Sequence, residues 1–89
     1  MSRMAYYYAV VNEEGVLEVI LTERADEDAM EWVRKYTSNT HEVLKCRLSH
    51  TAFNELEDMI VDRKGKAALK ALKTFAMSIE SIGKVKNVF

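Results

Sequence analysis

Two short apolar runs, residues 5–11 and 16–22, flank the turn sequence Asn12-Glu13-Glu14-Gly15. That spacing constrains the fold more than any other feature, because it reads as a β-hairpin. Both runs are rich in Tyr, Val, Ile and Leu, which suit a pleated, half-buried surface. Asn first and Gly fourth match a type I turn closed by a left-handed glycine. The loop Glu13-Glu14-Gly15 then sets Asn12 opposite Val16. Regular pairing onward puts Val11 across from Leu17, Val10 from Glu18, Ala9 from Val19 and Tyr8 from Ile20.

Successive strand side chains point to opposite faces, so the run Tyr6-Tyr7-Tyr8 must divide between two of them. Tyr7, Ala9, Val11, Leu17, Val19 and Leu21 make an uncharged face, the expected core side. Tyr6, Tyr8, Val10, Glu18, Ile20 and Thr22 make the other, expected to meet solvent or a partner. A slip of one residue would exchange the faces of one strand relative to the other.

Residues 26–37 predict a helix. Asp26 is the expected N-cap, and Glu27 and Asp28 suit the positive end of the dipole. Ala29, Val33 and Tyr36 form its apolar stripe, flanked by Met30 and Trp32. Residues 42–48 alternate as a third strand, with Leu44, Cys46 and Leu48 on one side and Val43, Lys45 and Arg47 on the other. Ser49 is placed to cap a helix over 50–63, with Phe53, Leu56, Met59 and Ile60 inward. Gly65 breaks it. The spacing of Leu69, Leu72, Phe75, Ala76, Ile79 and Ile82 predicts a third helix over 66–82, so that 50–82 forms a helical hairpin. Residues 83–89 are left as a tail or short strand.

The expected fold is a single α+β domain over 1–89, ordered β-β-α-β-α-α. Its sheet is three-stranded and mainly antiparallel, in the preferred order 2-1-3, with order 1-2-3 as the alternative. A right-handed crossover joins the second and third strands. Helices are expected on one face only. The other face would then be bare, carrying Tyr6, Tyr8, Val10, Ile20, Val43, Lys45 and Arg47, with Glu18.

Composition excludes some classes. An 89-residue chain with 48% hydrophobic and 30% charged residues is globular rather than disordered. The sequence shows neither a membrane-length apolar run nor a signal-peptide layout, and its one cysteine, Cys46, forms no internal disulfide. A cytoplasmic location is the expectation. The net charge of −1 conceals an asymmetry: residues 1–31 hold eight acids and two bases, residues 63–89 seven bases and one acid. Such polarity steers charged partners, or draws the two halves of a fold together.

No motif supports catalysis. "GKAALKALK" lacks the second glycine and the Lys-Ser/Thr pair of a phosphate-binding loop. His41, Cys46 and His50 offer three ligands where a structural zinc site wants four. With no cofactor or metal expected, the chain reads as a non-enzymatic binding protein. The leading reading is a protein-interaction module, an inhibitor or adaptor docking on a larger protein through Tyr6, Tyr8, Lys45 and Arg47, with Trp32 as a further contact. Small motif-free domains that phages and mobile elements carry to block a host system, such as a defence complex, are an analogy of size and fold only. One alternative is a nucleic-acid accessory, stacking bases on the tyrosines and using Arg63, Lys64, Lys66, Lys70 and Lys73 for phosphates. Another is a homodimer that buries the bare face against itself. The acids between Glu23 and Glu31 offer a weaker phosphate-mimic reading.

Overall fold

The computed structural model describes residues 3–37 and 39–86. Its elements are β1 (Met4–Asn12), β2 (Leu17–Leu21), α1 (Asp26–Tyr36), β3 (His41–Ser49), α2 (His50–Val61), α3 (Gly65–Phe75) and β4 (Ser78–Val85). The strands form one antiparallel sheet in the order β2-β1-β3-β4. This is a small α+β domain. Order 2-1-3 is present within it, and a fourth strand extends it.

That fourth strand corrects the expected helix over 66–82. The apolar spacing of Leu72, Phe75 and Ile79 fits a helix, yet α3 stops at Phe75 and residues 78–85 pair with β3. Period alone does not weigh an open strand edge elsewhere in the chain. The backbone groups on the far side of β3 need partners, and residues 78–85 supply them. Residues 83–85 of the expected tail belong to β4, and 87–89 lie outside the described residues.

The hairpin turn forms as its residues dictate. Gly15 takes φ +78°, and the Asn12 side chain accepts hydrogen bonds from the Glu14 and Val16 N–H groups. Val11 pairs with Leu17 as expected. Next comes a bulge at Glu18, after which Val10 meets Val19, Ala9 meets Ile20 and Tyr8 meets Leu21. The extra residue exchanges the faces of everything beyond it. Ile20 therefore joins Ala9, and Val19 and Leu21 join Tyr8 and Val10, the reverse of the regular register.

Helices cover both faces, not one. On one side Tyr7, Ala9, Val11, Leu44, Cys46 and Leu48 pack against Leu56 of α2 and Ala68 and Leu72 of α3. Phe53 stacks on Tyr7 with ring centroids 4.4 Å apart. On the other, Tyr8, Val10, Leu21, Val43 and Val85 pack against Ala29 and Val33 of α1. Each large side chain buried in these layers contributes about 1.5–3 kcal/mol. The face expected to be bare is thus half closed. The uncharged stripe of α1 needs apolar cover, and Val10 and Val43 provide it.

Local details follow from close contacts. Ser49 caps α2 as expected, its hydroxyl accepting from the Ala52 N–H at 3.1 Å. α1 instead starts from Ala25, with no side-chain cap, because the Asp26 carboxylate bonds elsewhere. Tyr36, expected in the buried stripe, is 66% exposed. α2 ends in a Schellman-type turn: the Lys64 N–H donates to the Met59 carbonyl, the Arg63 N–H to that of Ile60, and Arg63 takes φ +61°. Gly65 starts α3 hard against β2. A Cβ there would stand 2.3 Å from Val16 Cγ1 and 2.9 Å from the Leu17 carbonyl oxygen.

Candidate interaction surface

α1 has 11 residues and so spans about 16 Å. β1 and β3 have nine each and run about 30 Å. The helix therefore covers part of its face and leaves the rest open. Tyr8 and Val10 lie beneath it, while Tyr6 and Met4 lie beyond its first turn. Tyr8 is 2% exposed and Tyr6 55%.

The boundary is held by three side chains. The Tyr8 hydroxyl donates to Asp26 Oδ1 at 2.6 Å. Lys45, directly across from Tyr8, places Nζ 3.1 Å from the same oxygen. The ammonium also stands 5.2 Å from the Tyr6 ring centroid and 6.0 Å from that of Tyr8. Burial first, and then the bond to Asp26, pushes the Tyr8 phenol up to about 12. The Tyr8 and Lys45 hydrogen bonds hold the Asp26 carboxyl below the usual carboxylate range.

Beyond that boundary the strand ends are open. Tyr6 pairs with Arg47 and Arg47 with Ser78, which sets the three side by side across the sheet. Tyr6, Arg47, Ser78 and Glu80 are all exposed. The Met77 N–H donates to the Arg47 carbonyl, which ties the α3–β4 connection to the same place. Among the described residues seven large apolar side chains stay exposed, and two of them, Met4 and Tyr6, lie on this open stretch, while Ile79 pairs with Cys46 and lies on the opposite face. Arg47 supplies positive charge beside Tyr6.

The sequence-derived contact set is thus divided. Tyr6, Lys45 and Arg47 come together. Tyr8 belongs to the core and touches the surface only through its hydroxyl. Trp32 lies in the second half of α1, partly buried against the Tyr8–Val43 layer and 5.2 Å from the Tyr36 ring. Met4, on the same face, was missed because the expected first strand began at residue 5.

Arg63, Lys64, Lys66, Lys70 and Lys73 are all exposed, but they lie in the α2–α3 layer, across the sheet from Tyr6. The two parts of the nucleic-acid reading therefore face opposite ways. His41, Cys46 and His50 are also kept apart. His41 is buried on the α1 side, with Nε2 against the Glu18 carboxylate and Nδ1 2.7 Å from the Asn39 carbonyl oxygen. Cys46 points into the other layer, where burial pushes its thiol up to about 12, so it stays protonated at neutral pH. His50 begins α2 beside Phe53.

No helix among the described residues is long and apolar enough to cross a membrane. No family model, curated protein or solved structure matches the chain.

Proposed function

We propose that this chain is a small non-enzymatic protein-interaction module, an inhibitor or adaptor that docks on a larger protein with the open strand ends. One observation carries the reading: Met4 and Tyr6 stay exposed beside Arg47 on the stretch of sheet that α1 leaves uncovered. Singly scattered apolar residues need no explanation, whereas a cluster with a polar rim marks a contact surface. Tyr and Arg are also the residue types that anchor protein interfaces.

Affinity capture from native lysate tests this, with and without nuclease, using the wild type, a Tyr6→Ala/Arg47→Ala variant and a Val61→Ser control. Val61 is exposed at the far end of α2. The expected result is a protein partner that survives nuclease, binds the control and is lost with the double variant. Recovery unaffected by the double variant would overturn the reading. Recovery of nucleic acid, with affinity falling steeply in salt, would favour phosphate contacts instead. A concentration-dependent mass in light scattering, abolished by the double variant, would favour the homodimer.

A further inference from the structure

We propose a second binding site, for an alkylammonium cation, in the recess between the second half of α1 and the Glu18 bulge. Trp32 and Tyr36 sit one helical turn apart and line this recess together, their rings inclined at 44°. Tyr36 is the most exposed tyrosine in the chain, and no packing role accounts for its ring. The Glu18 side chain stands at the same recess, pushed out of the regular strand by the bulge and 40% exposed. Its carboxylate is held by the buried ring of His41, which is itself anchored at the Asn39 carbonyl.

Aromatic faces and a fixed carboxylate are the two features that recognise an organic ammonium. The ring quadrupole attracts the charge and the apolar body of the ligand covers the rings. The recess holds about 280 Å³. That lies just below the ~300–1,000 Å³ of sites for drug-sized ligands, and suits the end of a lysine side chain or a small quaternary ammonium. Apart from the His41 ring paired with the Glu18 carboxylate, the chain does not fill the site itself. Among the described residues Lys45 is engaged at Tyr6, Tyr8 and Asp26, and Arg34 pairs with Glu31, while no lysine or arginine stands over Trp32 or Tyr36. The site is separate from the strand ends, so it stands or falls independently of the interaction reading above.

Trp32 is the only tryptophan, so its fluorescence reports on the recess directly. The test is a titration at constant ionic strength with choline, with Nα-acetyl-lysine methylamide and with 3,3-dimethyl-1-butanol, the uncharged isostere of choline. The expected result is a saturable change with at least one of the two ammonium compounds and none with the alcohol. Tyr36→Ala and, separately, Glu18→Gln should each weaken binding about tenfold. Tyr36→Ala removes an exposed ring and leaves the core intact, so its result does not depend on the tolerance of the bulge for Gln. A response to the lysine derivative alone assigns the site to a protein side chain. A response to choline extends it to free small molecules. No saturable change with either ammonium, an equal response to the alcohol, or binding unaltered in Tyr36→Ala would overturn the proposal.

Discussion

Tyr6 and Tyr8 sit on the same strand and the same face of the sheet, two residues apart. Tyr8 is packed under α1 with its hydroxyl bonded to Asp26, while Tyr6 lies beyond the helix with most of its ring in solvent. Residue type and strand position are shared, so the difference comes from the length of α1. An 11-residue helix cannot cover a nine-residue strand pair, and it stops where Asp26 meets Lys45. On the covered side Tyr8, Val10 and Val43 are explained by packing. The uncovered side holds apolar groups that packing does not use, which makes it the candidate for contact with another molecule.

The largest effect should come from the covered side. Tyr8→Ala opens a cavity between β1 and α1 and should cost about 3–5 kcal/mol in urea unfolding, whereas Tyr6→Ala should stay within about 0.5 kcal/mol of wild type. Comparable costs for the two would break the comparison. The opposite layer offers a control that does not involve α1. Gly65→Ala drives a methyl group into Val16 and the Leu17 carbonyl and should cost about 1–3 kcal/mol.

Smaller effects sharpen the boundary itself. Tyr8→Phe keeps the ring and removes the bond to Asp26, for a loss of about 1 kcal/mol. The pH dependence has two signs. The lowered Asp26 carboxyl contributes stability that is complete above the ordinary carboxylate range and fades as pH falls through its lowered value. Tyr8, raised from 10.0 to about 12, contributes stability that is complete below 10 and is lost as pH rises through 12. Asp26→Asn should flatten the acid limb of a urea-midpoint titration, and Tyr8→Phe the alkaline limb. The smallest change is a gain. Arg63→Gly relieves a left-handed residue in the α2–α3 turn and should add about 0.5–1 kcal/mol, read as a higher Tm.

The parts of this fold legible in the sequence are those settled by neighbours. Asn12 and Gly15 define their own turn, Ser49 caps the helix it precedes, and alternation in 42–48 gives β3. The strand order 2-1-3 follows from placing the tyrosine-rich strand at the centre. The illegible parts depend on contacts distant in sequence. Glu18 in an otherwise apolar run is the trace of the bulge, but a charged residue on an open face leaves the same trace. Residues 78–82 have helical spacing and become strand because β3 has a free edge. Tyr6, Lys45 and Arg47 were found as a group because cross-strand register follows from alternation. The separation of Tyr8 from them required the length and docking of α1, which no local pattern encodes.

The most direct test labels tyrosines on the folded chain. Nitration with tetranitromethane, followed by peptide mass spectrometry over time, reads the accessibility of all four rings in one sample. Tyr6 and Tyr36 should be modified early, with Tyr7 and Tyr8 protected until the chain is unfolded. Modification of Tyr8 alongside Tyr6 would show that α1 does not close its half of the face, and would contradict the division on which the assigned contact surface rests.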